Sequence, residues 1–221
     1  MKTVLILSGG MDSTTLLYDL MNTHKPEWIK VLSFNYGQRH KKELEFAANT
    51  CKKLGVEHHI IDLSNLTFLI SNSALTNPNI EVPEGHYEDE SMKSTVVPNR
   101  NSIMLSIAVG YAESLSFDCV AIANHTGDHS VYPDCRSEFI TTFSNAEILG
   151  TYNHIFINAP YTHISKADIA EIGLRLGIDY DADTWSCYKG GDEPCHKCGT
   201  CVERDEALFI AKSRIIQDTS K

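Results

Sequence analysis

No apolar run in this sequence approaches the ~20 residues that a membrane-spanning helix requires, so an integral membrane protein is not expected. No signal-type cleavage region follows Met1-Lys2-Thr3, and a cytoplasmic protein is expected. Basic residues are scarce: Lys and Arg number 19 against 29 Asp and Glu, a formal net charge of −10. Proteins that grip RNA or DNA carry a basic face, so a small-molecule substrate is favoured over direct nucleic-acid binding. The chain also lacks internal repeats, low-complexity tracts and long blocks of one charge sign.

What is present suffices for one compact core: 221 residues, 42% hydrophobic and 22% charged. Seven cysteines in a cytoplasmic chain point to metal binding or catalysis ahead of disulfides, the more so because four crowd one segment.

The strongest local signal is Leu7-Ser8-Gly9-Gly10-Met11-Asp12-Ser13-Thr14-Thr15. It follows an apolar run at residues 4–7 that reads as a buried strand, and precedes Leu16-Leu17-Tyr18-Asp19-Leu20-Met21, whose spacing suits a helix. Two glycines let the backbone approach a bulky anion, and the free N–H groups of a helix start point at it with the positive end of the dipole behind them. Ser8, Ser13, Thr14 and Thr15 add hydroxyls. Gly-Gly alone is common punctuation, but the flanking Ser8 and Asp12-Ser13 directly after a strand favour a nucleotide loop. No Gly-Lys-Ser/Thr closes it, so it is not of the Walker A type.

Further along, strands are predicted at residues 28–34, 56–63, 117–124 and 154–159, alternating with helices at 39–54, 102–114, a segment ending near 149, and 165–176. Such alternation predicts an α/β fold, a parallel five-stranded sheet with helices on both faces. Ligands then bind beyond the carboxyl ends of the strands, where residues 8–13, 35–39 and the polar loop 125–136 all fall. Residues 71–97, rich in Asn, Pro, Glu and Ser, read as a mobile lid. Asn101 is expected to cap the helix at 102–114, with Arg100 beside that terminus. Ser165 and Asp168 form a capping box, which places Lys166 at a helix start.

Cys187-x7-Cys195-x2-Cys198-x2-Cys201 supplies four thiolates from a short loop. The set suits tetrahedral Zn²⁺; iron–sulfur remains the alternative, and His196 is expected to be only a neighbour. The division expected is a nucleotide domain at 1–183 and a small metal-binding tail at 184–221. Cys51 and Cys119 read as buried hydrophobes.

The loop 7–15, Asn-Tyr-Gly-Gln-Arg-His at 35–40, Val-Pro-Asn-Arg-Asn at 97–101, Tyr-Pro-Asp-Cys-Arg-x-Glu-Phe at 132–139 and the Trp-Ser-Cys-Tyr…Cys-x2-Cys-x2-Cys tail occur in this order. The ordered set resembles the 7-cyano-7-deazaguanine synthase family of queuosine biosynthesis, within the N-type ATP pyrophosphatase (PP-loop) superfamily. That resemblance implies an adenine nucleotide α-hydrolase-like, Rossmann-like fold and an ATP-dependent ligase. It would join 7-carboxy-7-deazaguanine and ammonia and form the nitrile through adenylated carboxylate and amide intermediates. Relatives that stop at the amide, or that act on another small carboxylate, are the alternatives. The resemblance further implies ATP, Mg²⁺ and Zn²⁺ as cofactors and a homodimer. Leu7, Ser8, Gly9, Gly10, Met11, Asp12, Ser13, Thr14, Thr15, Leu16 and Leu17 would bind ATP. Asp12, Ser13, Arg100 and Lys166 would serve catalysis, and Arg100, Asp134, Arg136 and Lys166 substrate. Cys187, Cys195, Cys198 and Cys201 would bind zinc.

Overall fold

The computed structural model describes residues 1–86 and 89–219. Five strands, β1 (Thr3–Ile6), β2 (Ile29–Asn35), β3 (Glu57–Asp62), β4 (Cys119–Ala121) and β5 (Phe156–Asn158), form one sheet in the order β3-β2-β1-β4-β5. Every pairing is parallel. Seven α-helices are described: α1 (Met11–Thr23), α2 (Lys42–Leu54), α3 (Arg100–Ser114), α4 (Ser137–Gly150), α5 (Lys166–Arg175), α6 (Tyr180–Asp183) and α7 (Gly199–Thr219). The strand order reverses between β1 and β4, and a crevice opens there beyond the strand ends.

Period-two alternation assigns the strand residues to two faces. Val4 and Ile6 pack with Leu32, Phe34, Val120 and the α3 residues Leu105, Ala108 and Ala112. Leu5 and Leu7 turn the other way, onto Leu16, Leu17 and Leu20 of α1, Ala47 and Cys51 of α2, and Ile169 of α5. Cys51 and Cys119 are buried in these layers, as hydrophobes would be.

Four readings change at the level of local structure. The strands at 117–124 and 154–159 are three residues long in the sheet, because their flanks leave the ladder for loops. The helix expected from residue 39 begins at Lys42. Asn101 does not cap α3: Asn99, at φ 54°, occupies that position without a side-chain cap, and Asn101 lies buried inside the first turn. Its backbone N–H donates to Asp134 Oδ2 (3.0 Å), so the carboxylate satisfying this helix start comes from another loop. Segment 71–97 is also less bare than its composition suggests. Ser73, Ala74, Leu75, Met92 and Thr95 are buried, a 3₁₀ turn spans Glu90–Thr95, and Glu84 bridges to Cys198 of the cysteine loop.

The tail is tied to the sheet domain along α7. Ala207, Leu208 and Ala211 pack on Ala167, Ala170 and Ile178, and Arg214 meets Asp168 at 2.7 Å.

Candidate active site

Gly9 shows why the loop after β1 needs glycine. It sits at φ 85°, and a Cβ there would lie 2.0 Å from the Glu43 carbonyl oxygen. Ser8 N–H donates to Ser13 Oγ (3.1 Å), the two hydroxyls lie 3.0 Å apart, and Gly10 N–H donates to Ser8 Oγ (3.2 Å). The bend is thus closed by its own serines. Gly10 offers α1 no side-chain cap, so the helix start faces the crevice with free N–H donors, an anion site by geometry. Beyond Ser13 the loop turns inward: Thr15 Oγ1 lies 2.7 Å from the Tyr180 hydroxyl, and Leu16 and Leu17 belong to the core.

The crevice encloses about 1120 Å³, its open mouth included. Ser8, Gly10, Asp12 and Ser13 line it together with Arg100 and Lys166, residues up to 158 positions apart in sequence (166 − 8). Asp134 and Arg136 do not. Asp134 serves the start of α3, and Arg136 is exposed, its Nε donating to the His129 carbonyl (2.9 Å).

Charged groups gather on one side. Lys166 Nζ, buried at the start of α5, lies 2.8 Å from Glu203 Oε2 and 3.2 Å from Asp12 Oδ2. Burial works against its charge, but Asp12, Glu203 and Asp128 outweigh burial and hold the ammonium well above the ordinary lysine range. His125 is fully buried, its Nδ1 accepting from Gly127 N–H (3.1 Å), which leaves the proton on Nε2. That Nε2 has no hydrogen-bond partner and faces Asp128 Oδ1 (3.7 Å), Asp12 Oδ2 (3.9 Å) and Glu203 Oε1 (3.9 Å). Asp12 Oδ1 is likewise buried without a partner, which fits a carboxylate that receives a cation with its nucleotide.

Aromatic groups form the other side: Phe34, Tyr36, Tyr132 and Tyr188. Arg100 stands among them, its carbon 5.6 Å from the Tyr36 ring centroid and its Nη1 donating to the Tyr36 hydroxyl at 3.4 Å. No carboxylate pairs with this guanidinium within 4.0 Å among the described residues. Burial pushes the Tyr36 phenol up to about 12, so it remains a donor at neutral pH. Glu43 closes this side. Burial pushes its carboxyl up to about 7, opposed by a hydrogen bond from Gln38 Nε2 (3.1 Å) and by Arg100.

The four tail cysteines fit a tetrahedral metal. Their sulfurs lie within 4.8 Å of one another, and Cys195 Sγ and Cys201 Sγ are 3.9 Å apart. Zn–S bonds of about 2.3 Å put sulfurs roughly 3.8 Å apart, close to this spacing. Backbone N–H groups of Cys195 and Cys198 donate to Cys187 Sγ (3.4 Å) and Cys195 Sγ (3.3 Å), which suits charged sulfurs. His196 stays outside, its Nδ1 2.6 Å from Asp205 Oδ2. The loop borders the crevice, since Trp185 N–H donates to the Gly9 carbonyl (2.9 Å) and Ser186, Tyr188 and Thr200 line the cavity.

Glu203 escaped the sequence reading. Its partner lies 37 residues away, and no local motif marks it. One signal was available: an acidic residue on the face of α7 that carries Ala207 and Ala211 needs a buried partner. Glu43 had none; Tyr36, Tyr132 and Tyr188 stand in the ordered motifs, but only the fold places them around one cavity.

A doubly wound parallel sheet whose first strand ends in a serine-glycine anion loop at the switch point defines a PP-loop ATP pyrophosphatase fold. NMN synthetase from Francisella tularensis shares this fold, with a TM-score of 0.52 at 15% identity over 96% of this chain and 76% of its own. The family described as queuosine biosynthesis protein QueC matches residues 2–212, and the chain belongs to that family. The 7-cyano-7-deazaguanine synthase of Caldicellulosiruptor saccharolyticus is 52% identical over 208 residues, covering 94% of this chain and 91% of the relative. That of Methanoregula boonei is 51% identical and covers 94% of both chains.

Proposed function

We propose that this chain is an ATP-dependent ligase that converts 7-carboxy-7-deazaguanine and ammonia to 7-cyano-7-deazaguanine. The observation that carries this reading is one cleft holding an uncapped helix start at one end and, at the other, a half-buried arginine with no carboxylate partner among the described residues. ATP lies with its β- and γ-phosphates on residues 8–13 and its α-phosphate toward Lys166. The deazaguanine stacks among Phe34, Tyr36, Tyr132 and Tyr188, its carboxylate drawn by Arg100.

A carboxylate oxygen attacks the α-phosphorus, and the bond to the departing pyrophosphate breaks. Lys166 offsets negative charge building on the α-phosphoryl oxygens. Ammonia then attacks the acyl carbon, AMP leaves, and a proton is lost to give the amide. The amide oxygen attacks the α-phosphorus of a second ATP, pyrophosphate leaves and one N–H proton is lost; elimination of AMP with the remaining N–H proton then forms the nitrile. Asp12 would hold Mg²⁺, which supplies countercharge to the leaving pyrophosphate. Cys187, Cys195, Cys198 and Cys201 would hold a structural Zn²⁺. The ammonia is free ammonium, and the protein is a cytoplasmic homodimer; no described helix is long and apolar enough to cross a membrane.

Mass spectrometry after incubation with 7-carboxy-7-deazaguanine, ATP, Mg²⁺ and ammonium tests the reading. Nitrile with two AMP per product supports it. Amide alone limits it to the first half, and an absence of AMP refutes it.

A further inference from the structure

Lys166 is the cation nearest the anion loop, yet a lysine side chain has four rotatable bonds and needs something to hold its tip. Asp12 and Glu203 contact it, and the charge of Asp128 adds to theirs. Asp12 belongs to the nucleotide loop, at 3.2 Å; Glu203 comes from α7, at 2.8 Å, the shorter contact. Glu203 is mostly buried, with 15% of its side chain exposed. Its second oxygen faces His125 Nε2 at 3.9 Å and closes on Gly127, where an added Cβ would lie 2.8 Å from Oε1. A side chain at residue 127 would therefore displace the Glu203 carboxylate or the His125 ring.

The position of Glu203 is set by the cysteine loop. Cys201 lies two residues before it in α7, and Thr200 Oγ1 donates to the Ser186 carbonyl at 2.7 Å. Arg204, next in the helix, is buried and donates to the Tyr180 carbonyl at 3.2 Å. The first turn of α7 is therefore pinned on both sides of Glu203.

We infer that Glu203 is a positioning residue: it shares the Lys166 ammonium with Asp12 at the mouth of the anion loop, so that Asp12 does not hold the cation alone. This rests on the ligase reading above. Without Glu203, Lys166 collapses onto Asp12, which takes the cation from the α-phosphate and the carboxylate from its metal. A displacement of about 1 Å at such a site costs on the order of 100-fold in rate. The cysteine loop then acts on catalysis through one side chain, by fixing the helix that carries it.

A double-mutant cycle in the full-length, metal-loaded enzyme tests this. Glu203→Ala is expected to lower kcat about 100-fold with KM for ATP changed less than about 3-fold. Glu203→Gln, which restores an acceptor for Lys166, is expected to recover part of that loss. Glu203→Ala combined with Lys166→Ala should be no slower than Lys166→Ala alone, because both changes remove one function. Bound zinc and the thermal midpoint, measured on the same samples, should match wild type. Additive losses, or loss of zinc in Glu203→Ala, would show that Glu203 supports the fold and overturn the inference. If wild type releases AMP and Glu203→Ala matches it, the positioning role fails while the ligase reading stands. If wild type releases no AMP, the ligase reading fails; a Glu203→Ala crystal structure then decides the positioning, which is overturned if Lys166 Nζ has not moved.

Discussion

The two sides of the cleft carry cations in opposite conditions. Lys166 is already engaged by Asp12 and Glu203, whereas Arg100 has a tyrosine hydroxyl and an aromatic face but, among the described residues, no carboxylate. A buried cation with its counter-charges in place is held ready for charge that appears only during reaction. A half-buried cation without them is suited to a ligand that brings the anion. The difference assigns rate to the charged side and affinity to the aromatic side.

Substitutions can break or sharpen that division. The largest effect is expected from Cys198→Ala, which undoes the anchor of α7 and through it the charged side. Zinc should be lost, and the thermal midpoint should fall by about 10 °C, as for a loss of ~3 kcal/mol in a chain of this size. A zinc assay and calorimetry check this; a metallated, stable variant would remove the four-thiolate site. Arg100→Ala strikes the other side, and KM for the carboxylate substrate should rise about 100-fold while KM for ATP holds. Equal changes in both constants would dissolve the division between the sides.

Glu43→Gln tests the aromatic side in the absence of ligand. The unfolded carboxyl ionises near 4.5, but burial holds the native one neutral up to about 7. Native stability should therefore fall as pH rises through that window, by on the order of 3 kcal/mol, and stay lost above it. The glutamine variant lacks this dependence. Urea midpoints at pH 5 and pH 8.5 should separate the two proteins more at the higher pH; parallel curves would contradict the assignment. The smallest effect belongs to Arg136→Ala. This side chain is exposed and outside the cleft lining, so kinetic constants should stay within about 3-fold of wild type. A large rise in substrate KM would return Arg136 to the substrate site.

Local signals made much of this protein legible before its fold was seen. Ser8-Gly9-Gly10 declares a close backbone approach, Ser165 and Asp168 declare a helix start, and four cysteines at short spacing declare a metal cage. The capping box and the serines of the loop find their partners within a few residues, so spacing carries the chemistry, although the backbone that Gly9 approaches belongs to the distant Glu43. Asn101 shows where that reasoning stops. It has the composition of a cap, but the acceptor at the start of α3 is Asp134, 33 residues away.

The sequence by itself determined the strand-helix alternation, the anion loop and the thiol set, because apolar periodicity and turn chemistry are properties of neighbouring residues. Only the tertiary structure decided that Glu203 meets Lys166, that Arg136 stays outside, and that Tyr36, Glu43 and Arg100 share a wall. Those pairings depend on how parallel strands stack and where α7 docks, and burial then sets which charges must find partners.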